Sequence, residues 1–481
     1  MGPTPSKPPA PRRPRPLLAA GLSATVPGAG QAYAGRVRRG LILLGVDAVL
    51  IALGVVFTLD RLGVVKAAFK PRFLTALMVG NIVLLGFRIW AADDAYRCAH
   101  HGRMARTPAR TGRVGAVATG VLALMLVVPH AAVAYYDLVQ YNLITTVFAE
   151  DDTTTTTTQP SAVDTGIGAT TTTTQPAAPA LWDGLDRLNI LLLGGDAGVG
   201  RTGIRTDTMI VVSIDPASGD VAMFGIPRNW TRVPLPDGMG VWDCNCFPRL
   251  LNDLYIAGSE YPDAFPGPGT PGENAIKAGI GELLGIPIHY YALVTLDGFV
   301  GIVDALGGVD IDVPFRIVDE TYPHEDGVTT EYVDILPGPQ HLDGHLALAY
   351  VRARRHADDY ARMGRQRCVL DAVLEQSDPA ELLLAYPRIA GVLEETLQTD
   401  IPLSRIPDLI DLLPVVDLDS IVSVRFIPPT YLAEVTDEGR QIPNVDLIHH
   451  DVQLVLDSTP EEATAALGIE PLGDACTPDD Q

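Results

Sequence analysis

Between Leu188 and Trp230 the chain sets Asp196, Arg201, Arg205, Asp207 and Arg228 at or just past the ends of short apolar runs. Residues 189–193 form one such run, halted by Gly194 and Gly195. Residues 209–214 and 221–226 form two more, joined by Asp215-Pro216-Ala217-Ser218-Gly219. This is the pattern of buried strands separated by turns. Carboxylates at strand ends take a hard cation, and guanidinium forks grip phosphate oxygens bidentately. The mixture suits a metal and a phosphate held together. Residues 195–202, GDAGVGRT, nearly fit the phosphate-loop pattern. However, Arg201 stands where that motif has lysine, and a strand-like run follows where it needs a helix, so no nucleotide is expected.

A second charged set lies in residues 342–370. On a helix, Asp359, Arg362 and Gln366 share a face that continues into Val369, Leu370 and Val373. A stripe that begins polar and turns apolar directs its polar end into a pocket. The competing reading is a solvated helix start, where an acidic residue is ordinary dipole chemistry. Arg352 and Arg354 reach one ligand only if the preceding helix ends near Val351.

These sets sit in a chain of split charge. Residues 1–113 hold 17 Lys/Arg and 4 Asp/Glu, a balance of +13, whereas the remainder stands at −36 within a total of −23. The acidic bulk lacks the basic footprint that nucleic-acid binding needs. Four lysines against 31 arginines point to a GC-rich coding genome. Residues 1–16 are Pro/Arg-rich and read as a disordered cytoplasmic tail. Residues 17–135 read as a membrane region, with spanning helices at about 40–59, 73–91 and 114–135, each near the length needed to cross hydrocarbon. Residues 17–34, broken by Pro27, Gly28 and Gly30, read as interfacial or re-entrant. Arginines at 12–39 and in the loop 92–113 belong inside, although the basic loop 60–72 runs against this. Everything after residue 135 then faces out, which makes a multi-pass cell-membrane protein with no evident cleavable signal peptide. Residues 136–180 form a Thr/Pro-rich extracellular linker, a composition common to glycosylated stalks and plain spacers.

The globular part is expected over 181–460, followed by an acidic tail at 461–481. Helix-like stretches (273–284, 298–306, 343–352, 359–376, 379–414) alternate with strand-like ones (289–295, 309–313, 421–427), an α/β or α+β pattern on one central sheet. Cys98 falls on the reducing side, whereas Cys244, Cys246, Cys368 and Cys476 fall where disulfides persist. The Cys-x-Cys pair is too close for easy mutual bridging. A bridge from Cys244 or Cys246 to Cys368 or Cys476 is therefore expected, and a zinc site is disfavoured.

The globular part resembles the LytR-CpsA-Psr family of extracytoplasmic phosphotransferases over roughly residues 185–430. The resemblance is carried by NILLLGGD, RTDTMIVVSI, GIPRNW, LLND with a following tyrosine, the run from Ile286 to Pro314, LPGPQHLDGHLALAYVRARR and DDYARMGRQRCVL. It implies an α-β-α sandwich on a central mixed sheet, preceded here by transmembrane helices, with an apolar tunnel for a prenyl tail. The implied reaction moves a glycopolymer from a polyprenyl-pyrophosphate carrier onto peptidoglycan or another cell-wall acceptor. It further implies magnesium, with manganese as the alternative, on Asp196 and Asp207. Pyrophosphate contacts fall on Arg205, Arg228, Arg352, Arg354, Arg362 and Gln366. Asp196, Arg205, Arg228 and Asp359 are the catalytic candidates, with Asp196 or Asp359 as base. Where the family commonly has Pro-Arg-Asp, this chain has Pro227-Arg228-Asn229, and asparagine cannot act as a base. The alternatives are a polyprenyl-pyrophosphate hydrolase and a non-catalytic membrane-bound regulator or scaffold.

Overall fold

The computed structural model describes residues 14–101, 113–148, 185–196, 203–323, 329–353, 359–376, 379–417 and 421–469. Most of the expected linker, Arg201, Arg354, the Asp359 side chain and Cys476 lie outside them. The chain divides into two compact units, Met1–Tyr141 and Asn142–Gln481.

In the first unit, α1 (Pro16–Thr25) and α2 (Ala29–Tyr33) fold back on each other. Next come α3 (Val37–Leu59), α4 (Arg61–Ala68), α5 (Pro71–His101) and α6 (Arg113–Val147). Stretches of α3, α5 and α6 (Val37–Val56, Pro71–His100 and Thr119–Val147) are long and apolar enough to cross a membrane, and the last two extend well past the expected limits. Neither α1 nor α2 is long enough to span. Their turn is held by the Ser23 hydroxyl, which accepts from the Gly28 and Gly30 amides. Gln31 donates to the Ala91 carbonyl at 2.9 Å and so ties the turn to α5. A Cβ on Gly30 would sit 1.9 Å from the Ala19 carbonyl oxygen. Gly30→Ala is therefore expected to spring α1 from α2, read as faster amide exchange over residues 16–33 in the detergent-purified chain; unchanged exchange would contradict this packing.

The second unit is built on a six-stranded mixed sheet. Its strands are β1 (Leu188–Asp196), β2 (Arg205–Ile214), β3 (Val221–Gly225), β6 (Tyr290–Thr295), β11 (Leu397–Thr399) and β12 (Val422–Arg425), in the order β11-β6-β1-β2-β3-β12. The pairs β1–β6 and β3–β12 are parallel and the others antiparallel. Short strands β4 (Val233–Pro234) and β5 (Cys246–Phe247) and helix α7 (Leu254–Glu260) follow β3. Helix α8 (Pro271–Leu284) starts at a Thr270/Glu273 capping box with Pro271 in its first turn, and stops at left-handed Gly285. One face of the sheet buries Leu191, Leu193, Met209 and Val211 with Ile276 and Ile280 of α8 and Ile448 and Val452 of α14 (Val445–Asp457). The other face presents Ile210, Val212 and Ile214, only half buried, to Leu370 of α11 (Asp359–Gln376). The result is helix, mixed sheet, helix, the expected α-β-α sandwich.

A second core joins α9 (Leu296–Leu306), β7 (Val309–Val313), β8 (Ile317–Pro323), β9 (Thr330–Ile335), β10 (Gly338–Leu342), α10 (Gly344–Arg352) and α11. The stretch 379–414, expected to be helical, holds α12 (Pro379–Thr396) and α13 (Ile406–Leu412) with edge strand β11 between them. Tertiary bonds override the local pattern there. Asp400 accepts from the Tyr291 amide at 2.8 Å and from Lys277 at 2.6 Å, and Thr399 donates to the Tyr291 carbonyl at 2.6 Å. The hairpin β13 (Leu432–Val435) and β14 (Gln441–Pro443) precedes α14, and α15 (Pro460–Leu467) follows it. Ala463 is fully buried, so packing continues into the segment expected as an acidic tail. The disulfide expectation is corrected. Cys244 bridges Cys246 itself, because the chain turns there to a Cα–Cα distance of 5.0 Å, within disulfide reach.

Candidate active site

The site begins with an irregularity in the sheet. Thr208 pairs with Gly194 and Thr206 with Gly195, which leaves Asp207 as an extra residue with no partner on β1. Such a bulge re-aims a side chain out of the regular alternation. Asp207 joins Arg228, Arg362, Gln366 and Arg425 around a cleft floored by Ile210, Ile226 and Met363. Arg228 comes from the loop after β3, while Arg362 and Gln366 lie on successive turns of α11, as their spacing predicts.

Arg228 reaches Asp207 Oδ1 at 2.9 Å, and the Asn252 amide donates to the same oxygen at 3.0 Å. Both contacts fall on Oδ1. Burial would raise the Asp207 carboxyl, but Arg228, Asn252 and Arg362 outweigh it and hold it below the usual carboxylate range. Asp196, at the end of β1, is almost wholly buried and lies 3.5 Å from Arg352. Helix α10 ends at Arg352, where the shared-ligand argument required it to stop. Arg205 is 56% exposed, pairs with Asp253 at 3.1 Å and does not line the cleft.

Two features were not read from the sequence. Arg425 enters the cleft from β12, a strand with no charged motif to announce it. Asn252 lay inside a quoted motif, yet its contact with Asp207 spans 45 positions. Asn229 is explained by its partners. Its amide donates to Gln441 at 3.2 Å and to the Tyr360 hydroxyl at 3.4 Å, and an aspartate has no proton for either bond.

Arg365, one residue before Gln366, serves the frame. It donates to the Ala353 carbonyl at 2.7 Å and lies over the Tyr350 ring, with burial lowering its pKa to about 10. It thereby fixes the end of α10 from which Arg352 projects. Arg365→Met leaves that carbonyl without its donor and is expected to cost about 2 kcal/mol, seen as a lower urea midpoint. An unchanged midpoint would remove Arg365 from the frame.

No metal cage of three or more His, Cys, Asp or Glu side chains is preformed among the described residues. The donor set nevertheless fits magnesium, which is commonly held by one or two carboxylates with substrate phosphates completing its shell. Asp196 and Asp207, at the facing ends of paired strands β1 and β2, supply hard oxygen donors.

An α-β-α sandwich carrying a cleft of guanidinium and carboxylate groups above an apolar floor defines a domain suited to a phosphorylated, apolar ligand. The chain belongs to the LytR_cpsA_psr family, which it matches over residues 141–432. It is 30% identical over 217 residues to the polyisoprenyl-teichoic acid–peptidoglycan teichoic acid transferase TagV of Bacillus subtilis (strain 168), covering 44% of this chain and 49% of TagV. It is 29% identical over 220 residues to a TagU transferase of Halalkalibacterium halodurans, covering 45% of this chain and 62% of that relative. The chain thus spans about half to two thirds of the curated relatives it matches. Among solved structures it is similar to B. subtilis TagV (25% identity, TM-score 0.42, 57% of this chain and 99% of that one). It is also similar to TagT bound to LIIa-WTA (21% identity, TM-score 0.41, 57% and 92%).

Proposed function

We propose that the chain is a membrane-anchored, magnesium-dependent phosphotransferase. In this reading it moves a glycopolymer from a polyprenyl-pyrophosphate carrier onto peptidoglycan or another cell-wall hydroxyl. The observation that carries the reading is the convergence of Arg228, Arg362, Gln366 and Asp207 on one cleft whose floor is an incompletely covered apolar sheet face. The polar rim suits a pyrophosphate and the floor a prenyl tail. Relatives named as teichoic acid transferases support the reaction class, and three apolar N-terminal helices support anchorage, while the outward placement of the second unit rests on the arginine-rich flanks at 12–39 and 92–113.

In the proposed reaction an acceptor hydroxyl oxygen attacks the phosphorus next to the sugar. The bond from that phosphorus to the bridging oxygen breaks, and polyprenyl phosphate leaves with the electron pair. Arg228 and Arg362 neutralise the non-bridging oxygens, where charge concentrates in the transition state, and Gln366 orients them. Bound at Asp196 and Asp207, magnesium would supply further charge neutralisation. The hydroxyl proton passes to a carboxylate, Asp359 or Asp196. Arg352 holds Asp196 at 3.5 Å. Because the pyrophosphate is already activated, no nucleotide is required.

Binding tests the reading separately from turnover. The detergent-purified full-length chain is titrated with geranylgeranyl pyrophosphate and with geranylgeraniol. The pyrophosphate is expected to bind at least about tenfold more tightly with magnesium present, an advantage lost in Arg362→Ala. Equal binding of the alcohol, or full binding by Arg362→Ala, would place the lipid elsewhere.

A further inference from the structure

Gln441 lies beyond residues 141–432, the stretch that carries the family pattern. We propose that it is a positioning residue of the cleft, locking the Arg228 loop and the first turn of α11 into one register. The inference rests on the reading of the cleft given above.

Its backbone and side chain act on the same neighbours. The Gln441 carbonyl accepts from the Thr231 amide at 3.0 Å, and residue 441 forms a parallel bridge with Trp230. The loop carrying Arg228 is thus stitched to β14. The Gln441 Oε1 atom then accepts twice, from the Asn229 amide at 3.2 Å and from the Tyr360 hydroxyl. Tyr360 stands two residues before Arg362, and Asn229 directly follows Arg228. One carboxamide oxygen therefore links the neighbours of two guanidiniums on different elements that must meet one pyrophosphate.

The hairpin is a firm base for this link. The Asn444 amide donates to the Tyr431 carbonyl at 2.8 Å, and the Asn444 side chain caps α14. Helix α14 buries Ile448 and Val452 completely in the main core. The Tyr431 hydroxyl donates to Asp451 of the same helix at 2.8 Å. Register thus passes from the core through β14 to the cleft. A displacement of about 1 Å in such a frame is enough to cost roughly 100-fold in rate.

The chemistry separates positioning from simple folding. Gln441→Leu keeps the approximate bulk and removes the acceptor, whereas Gln441→Glu keeps acceptor oxygens for both donors. Tyr360→Phe removes only the hydroxyl. In the full-length chain, glycan transfer from a polyprenyl-pyrophosphoryl oligosaccharide to peptidoglycan fragments is expected to fall about tenfold in kcat in Gln441→Leu. Gln441→Glu is expected to stay within about threefold of wild type, and Tyr360→Phe to add nothing in the Gln441→Leu background, as for two members of one linkage. Amide exchange over 359–363 and 227–231 should speed up in Gln441→Leu and not in Gln441→Glu. Equal loss in the Leu and Glu variants, or wild-type kinetics in Gln441→Leu, overturns the inference. If the wild-type chain transfers nothing, the reading of the cleft fails instead, and the exchange arm still decides whether Gln441 sets the register. Should Gln441→Leu fail to fold, Tyr360→Phe alone is read: faster exchange over 359–363 supports the link, and unchanged exchange overturns it.

Discussion

Arg228→Ala should lower glycan transfer by roughly 10²–10³-fold with the fold intact, the loss typical of removing one preorganised group from a developing charge. Arg228 serves two partners, the proposed pyrophosphate and Asp207, which it holds at 2.9 Å. Its loss removes a fork from the phosphate and leaves Asp207 to Asn252 and the charge of Arg362. Lysine is expected to restore little, because an ammonium cannot bridge two oxygens in a plane. The variant also has a pH signature. The Asp207 carboxyl sits below its unfolded value, so its stabilising contribution is present above the ordinary carboxylate range and is lost as pH falls through the depressed value. Without Arg228 burial prevails, the folded value rises above the unfolded one, and the Asp207 part of the acid limb should vanish or reverse, stability being gained rather than lost as pH falls through the carboxylate range. An unmoved acid limb together with wild-type transfer would remove the pair from the site.

Asp207→Asn is the second large effect. The change is nearly isosteric and can keep an acceptor for Arg228, but it removes the charge on the one carboxylate that the bulge aims into the cleft. Transfer is expected to drop about 100-fold, with the magnesium needed for half-maximal rate moving upward. Chelation should abolish transfer by the wild type. Wild-type activity in chelator, with Asp207→Asn equally active, would show that the carboxylate serves no metal.

Much of this site could be read from the chain because its parts are local. Arg362 and Gln366 lie on one helical repeat, and Asp207 and Arg228 sit near the ends of apolar runs whose strands form where the pattern places them. The periodicity of α8, α9 and α11 and the stop at Gly307 were likewise visible. What escaped depends on distant partners. Edge strand β11 is only three residues long and is fixed by Asp400 and Thr399 on Tyr291. The β13–β14 hairpin earns its place by reaching Trp230, more than 200 positions earlier. The bulge is a matter of strand register, which composition does not encode. A single intervening residue argues against a Cys244–Cys246 bridge, whereas the turn between them brings their Cα atoms to 5.0 Å.

The most direct test follows the label in a polyprenyl-pyrophosphoryl oligosaccharide marked in its sugar, incubated with the full-length chain, magnesium and peptidoglycan fragments. The account predicts label on the peptidoglycan, stoichiometric release of polyprenyl phosphate, and loss of both with chelator or Arg228→Ala. Release of free sugar phosphate at the same rate with or without acceptor would contradict it in favour of a hydrolase. Bound lipid with no product of either kind would contradict it in favour of a scaffold.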